Sequence, residues 1–132
     1  MRDVQAPSRS IMIGMVSLQP DAGVPLEIDA YEGLLGRRVA SVLRYVTWEQ
    51  AFPDSTCDVI ADRGAVPMLI WMPGWPSRTG DVRRDCPAGE TGLDEILAGT
   101  HDAYIDQFAQ DVRRWNRRLL VRFLYEFNAS WY

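Results

Sequence analysis

The 132-residue chain predicts an α/β fold, a parallel sheet covered by helices. Two observations carry that reading. Runs of branched and aromatic apolar residues at 11–17, 39–46, 66–71 and 119–125 show little polar alternation, as strands buried on both faces do. Stretches with helical spacing separate them, and alternating strand and helix goes with parallel strands joined by crossovers. The strands start near residues 11, 39, 66 and 119, so two repeats of 28 and 27 residues precede one of 53.

Each element has its own signals. Residues 1–10 are polar, contain Pro7 and read as a lead-in to one domain spanning 11–132. Strand one is Ile11–Ser17, and Gln19–Pro25, with two prolines and a glycine, reads as a loop. A helix over Asp29–Leu35 has Tyr31, Leu34 and Leu35 at helical spacing and Gly36 as its stop. Strand two, Val39–Val46, runs into Thr47, Trp48 and Glu49. Asp54, Ser55 and Thr56 offer capping oxygens for a helix through Arg63, closed by Gly64. Strand three is Val66–Trp71, with Pro67 near its start, where a missing N–H is tolerated. Met72–Gly92 is rich in Gly, Pro and charge and reads as a long loop, with a helical turn over Leu93–Ala98 after it. Thr100–Asn116 is the clearest helix: Ile105, Phe108, Val112 and Trp115 form one apolar stripe, with Asp102 and Asp106 near the start and Arg113 and Arg114 near the end. Tyr104 and Trp115 read as core.

Composition narrows the function. A formal net charge of −4 and a pI near 4.9 argue against a nucleic-acid partner. All fourteen basic residues are Arg, in scattered pairs that read as solvated faces. Cys57 and Cys86 lack both CxxC spacing and a nearby His, which argues against zinc; a disulfide and two free thiols both remain open. No apolar run is long enough to span a membrane, and the N-terminus lacks the apolar core of a signal peptide.

Strand four carries the chemistry. Leu120, Arg122, Leu124 and Glu126 share one face, and Val121, Phe123 and Tyr125 the other. Buried charge must be paired, so Arg122 calls for a partner from another strand. In a parallel α/β barrel a polar residue at the C-terminal end of a strand reads as catalytic, which makes Glu126 the leading candidate. Aromatic residues gather at the same ends: Tyr45, Trp48, Trp71, Trp75, Trp131 and Tyr132. Flat rings with a polar edge suit the CH faces and hydroxyls of a sugar, and Trp71 and Trp131 are the favoured walls. Packing under loops is the competing role for Tyr45, Trp48 and Trp75.

The order Glu126-Phe127-Asn128-Ala129-Ser130-Trp131-Tyr132 resembles the acid/base motif of glycoside hydrolase family 26, the β-mannanase family of clan A, where strand four ends in His-Glu-Met-Asn-Gly-x-Trp-Tyr. Segments 31–37, 65–71 and 97–105 resemble the family in the same order, so the likeness covers nearly the whole chain. Tyr125 stands where the family has His, Phe127 where it has Met and Ala129 where it has Gly. The resemblance implies that Glu126 is the general acid/base of a retaining hydrolase without a cofactor. It also implies that Trp131 forms the sugar site at the cleavage point, with Asn128, Arg122 and Tyr125 on motif positions. It favours β-1,4-mannan, with related polysaccharides on the same frame, and it implies secretion.

A complete (β/α)8 barrel takes about 250 residues, and in this clan the nucleophile lies on strand seven. The expectation is therefore a half-barrel of strands one to four, inactive alone, that docks with a missing C-terminal half or pairs with a second copy. Glu49 is a weak substitute nucleophile, and His101 reads as a surface residue near a helix start. Two other readings compete with the hydrolase: a non-catalytic carbohydrate-binding half-barrel and a self-associating structural module.

Overall fold

A computed structural model describes residues 11–48, 50–72 and 93–123. The lead-in, Glu49, the segment 73–92 with Trp75 and Cys86, and residues 124–132 lie outside them. In order come β1 (Gly14–Val16), a 3-10 turn (Asp21–Gly23), α1 (Val24–Leu35), β2 (Ser41–Thr47), α2 (Asp54–Asp62) and β3 (Val66–Met72). A short α3 (Leu93–Leu97), α4 (Asp102–Trp115) and β4 (Leu120–Phe123) complete the described elements.

The four strands form one sheet in the order β1-β2-β3-β4, every pair parallel. Parallel neighbours need a crossover, and right-handed crossovers all return over the same face of the sheet. The packing agrees. Met15 of β1 and Val42 of β2 meet Val24 and Ile28 of α1 and Ile60 of α2 in one apolar cluster. Val46 of β2 and Leu69 of β3 meet Phe52, Cys57 of α2 and Phe108 of α4 in a second. Alternate residues Val16, Tyr45 and Leu120 point away from these clusters and are exposed. The arrangement is an α/β sheet with helices, compatible with part of an α/β barrel. No helix among the described residues is long and apolar enough to cross a membrane.

The elements follow from local chemistry. Gly14 lets β1 approach β2: a Cβ there would meet Ser41 Oγ at 2.5 Å. Pairing of β3 with β4 begins at Met68, one residue beyond Pro67, so the missing N–H falls outside that ladder. Gly36 ends α1 in the left-handed conformation at φ 62°, and Asn116 ends α4 in the same way at φ 52°. Arg117 bridges Asp58 at 3.0 Å and Asp62 at 2.8 Å, and Trp115 Nε1 donates to Asp58 Oδ1 at 2.8 Å. These bonds tie the end of α4 to α2.

Several expectations change. β4, read from the sequence as a buried strand, is exposed at every residue from Leu120 to Phe123, so Arg122 is not a buried charge; the strand lies at the end of the described sheet. The stretch Gln19–Pro25 is not all loop, because a 3-10 turn and the start of α1 fall inside it. Pro25 occupies the first turn of the helix, where its missing N–H would have no intrahelical partner in any case. The buried side of α1 is Val24 and Ile28, whereas Tyr31 and Leu34 face outward, Leu34 at 87% exposure. The expected stripe of α4 holds: Phe108 is buried, with Ile105, Val112 and Trp115 half-buried.

Leu69 is fully buried between β3 and the helical layer, so Leu69→Ala should cost about 2–5 kcal/mol in urea unfolding through lost burial and a residual cavity. Cys57 is a buried free thiol whose pKa is pushed up to about 12, first by burial and then by the carboxylates of Asp58 and Asp54. Peptide-resolved alkylation at pH 8 should therefore leave Cys57 unlabelled in the folded chain and label it on denaturation. The fold favours the protonated thiol, so this contribution to stability is complete below the ordinary value of 9.0 and is lost as pH rises toward 12.

Candidate functional site

Ligands of parallel α/β folds gather at the C-terminal ends of the strands. At that edge the β2–β3 ladder runs one residue past β2, with Trp48 N–H donating to Met72 O at 3.0 Å. Val46, Trp71 and Phe123 lie in one register row, and strand alternation puts Trp48 on their side, toward the helices. The rings of Trp48 and Trp71 lie 5.1 Å apart, and Phe123 lies 6.0 Å from Trp48 at an interplanar angle of 19°. From α4, Phe108 stacks on Trp71 at 4.8 Å and Tyr104 approaches Trp48 at 5.6 Å.

Polar contacts fix this cluster. Trp71 Nε1 donates to the Tyr104 hydroxyl at 3.1 Å, and that hydroxyl donates to Gln50 O at 2.9 Å. Burial raises the Tyr104 pKa, so the phenol is held as a donor. His101, just before α4, sets its ring edge-on to Trp48 at 5.2 Å, with Nε2 3.1 Å from Glu95 Oε2 of α3. His101 is thus half-buried against an indole rather than a plain surface residue. Trp48 is only 8% exposed, and its indole N–H is buried without a hydrogen-bond partner among the described residues.

The opposite face carries a different set. Tyr45, Ile70 and Arg122 form one register row, and they alternate with the helix-facing Leu69 and Trp71. Tyr45 is well exposed and Ile70 beside it is buried. The structure therefore brings Tyr45 and Arg122 to one side of the sheet and Trp48 and Trp71 to the other. The packing of Trp48 and Trp71 against Tyr104, His101 and Phe108 gives both rings a structural task. Glu126, Tyr125, Asn128 and Trp131 lie outside the described residues.

Arg44 escaped the sequence reading. Its side chain is 13% exposed on the helix-facing side of β2 and donates to Ser17 O at 2.9 Å, Gln19 O at 2.6 Å and Asp21 Oδ1 at 3.0 Å. Ser17 Oγ donates in turn to Glu27 Oε2 at 2.5 Å. One guanidinium thereby clamps the β1–α1 connection onto β2 at the C-terminal edge. The signal was present: Arg44 is the one charged residue in the run 39–46, as Arg122 is in 119–125. Among the described residues no group of three or more His, Cys, Asp or Glu is placed to hold a metal ion.

No protein-family model matches this chain. The chain is similar to Endoglucanase H of Acetivibrio thermocellus, 25% identical over 140 aligned residues that take in 93% of this chain. The likeness is to glycoside hydrolases at a distance, and not to family 26 in particular. The chain spans 14% of the length of that relative.

Tyr104→Phe removes the hydroxyl that both serves Trp71 Nε1 and caps Gln50 O. It should cost about 1–3 kcal/mol in chemical denaturation, because two partly buried polar groups lose their partner while the ring packing remains.

Proposed function

We propose that the chain is the acid/base-bearing part of a retaining β-glycan hydrolase, with a β-1,4-mannan-type polysaccharide as substrate. The observation that carries the reading is the strand order. Glu126 follows the end of β4 by three residues, in a parallel sheet whose C-terminal edge is where such folds do chemistry. The distant likeness to an endoglucanase supports the glycosidase class. In this reading Glu126 protonates the leaving glycosidic oxygen and then activates water, and a second carboxylate roughly 5–5.5 Å away forms the glycosyl intermediate. Desolvation beside Trp131 would raise the acid's pKa into the working range. In this reading Trp131, Asn128, Arg122 and Tyr45 form the sugar-facing side, Tyr125 beside the acid falls by alternation on the side of Phe123, and Trp48 and Trp71 support the rim from beneath.

In the same proposal the described strands are the first four of a (β/α)8 barrel. The exposed apolar residues Val16, Tyr45 and Leu120 then meet the opposite wall, contributed by strands five to eight or by a second copy. That exposed face also favours a second reading, a self-associating or purely carbohydrate-binding half-barrel.

The test uses a longer polypeptide that joins this chain to strands carrying the second carboxylate. There, Glu126→Ala should slow glycosides with poor leaving groups about 10²–10⁴-fold and spare activated aryl glycosides. Equal losses on both substrates would remove the acid role. For the 132-residue chain alone, light scattering with a mannan assay should give a dimer or larger species without turnover. A monodisperse monomer that hydrolyses mannan would overturn the half-barrel.

A further inference from the structure

We propose that the crevice between the β1–α1 and β2–α2 connections is a subsite for one neutral sugar ring, distinct from the cleavage point on β4. The inference rests on the carbohydrate reading and deepens it. The crevice is a cavity of about 210 Å³ at the C-terminal edge, the size class of a single monosaccharide unit, lined by Asp21, Arg44, Tyr45 and Gln50 and by the apolar Val46, Ala51 and Pro53.

Its polar groups are already oriented. Arg44 spends its donors on Ser17 O, Gln19 O and Asp21 Oδ1, which fixes the Asp21 carboxylate and leaves Oδ2 without a donor among the described residues. Gln50 Oε1 accepts the backbone N–H of Thr47 at 2.9 Å. A backbone N–H can only donate, so the amide orientation is determined and Gln50 Nε2 is left to donate. The crevice therefore offers one fixed acceptor and one fixed donor.

Charge selects the ligand class. The guanidinium and the carboxylate cancel, so nothing favours an anion or a cation, and a hydroxyl group is the partner that can both give and receive. The apolar lining from Val46, Ala51 and Pro53 suits the CH surface of a pyranose. Position along the sheet separates this subsite from Glu126. Strands β2 and β4 are two spacings apart, about 10 Å, so the crevice beside the end of β2 is a site of its own and not part of the cleavage point proposed beyond β4.

The test is a titration of the ¹⁵N-labelled 132-residue chain with mannobiose, cellobiose and mannohexaose, following the Gln50 side-chain amide and the Trp131 indole N–H. A disaccharide should shift the Gln50 amide. Asp21→Ala and Gln50→Ala, read through the Arg44 side-chain resonance, should each weaken that binding about three- to tenfold. Ala51→Phe, which fills the crevice from an exposed position, should abolish it. If mannohexaose moves Trp131 while Gln50 stays still, the subsite is wrong and the carbohydrate reading stands. If no sugar moves either resonance, both are wrong. Disaccharide binding that is indifferent to Asp21→Ala, Gln50→Ala and Ala51→Phe alike would also overturn the subsite.

Discussion

Parallel pairing is the constraint on which the rest of this molecule depends. Two strands that run the same way cannot be joined by a tight turn, so each must be linked by a chain long enough to cross back. Because those crossings share one hand, α1, α2 and α4 collect on a single face, and the apolar clusters around Val42 and Leu69 form there. Everything else is a consequence of that asymmetry. One face is packed. The other presents Val16, Tyr45, Leu120 and Arg122, and all four strand ends and connections that bear on function emerge at one edge.

At that edge the packing is aromatic and its polar atoms are unequally served. Trp71 has a hydroxyl for its N–H and Tyr104 has a carbonyl for its own, whereas the Trp48 N–H is buried without a partner among the described residues. A buried donor without a partner costs on the order of 1–3 kcal/mol. Against that cost stand the ring contacts of Trp48, stacked on Phe123, tilted against Trp71 and Tyr104 and edge-on to His101.

The sequence made the architecture legible because strand and helix signals were separate. Runs of branched residues marked β2 and β3 to within two residues, and the three- and four-residue steps of α4 left little choice. Where the reading slipped, two signals competed. Pro20, Gly23 and Pro25 together looked like a loop, yet Pro25 suits the first turn of a helix, and only the burial of Val24 and Ile28 decides the matter. Tyr31 and Leu34 had helical spacing but no partner element to bury them. At the candidate site, alternation within strand four separated Arg122 from Phe123, but which strand-two residues share the Arg122 face, Tyr45 among them, shows only in the register. That same alternation, applied to Trp71 and Val46, would have shown that Trp71 turns toward the helices. The Arg44 clamp was harder to foresee, because two of its acceptors are backbone carbonyls that leave no trace in residue type and the third, Asp21, lies 23 residues away in a stretch read as loop.

The spacing between paired strands has an evolutionary corollary. Ser41 and Val66, paired across β2 and β3, are 25 residues apart, whereas Met68 and Leu120, paired across β3 and β4, are 52 apart. Closing a flexible loop of twice the length costs only about 0.6 kcal/mol more. Length in the third connection is therefore nearly neutral for folding, and insertions or deletions there would drift almost unopposed by selection for stability. Divergence in length among related chains should concentrate between Met72 and Leu93, with little change to the sheet itself.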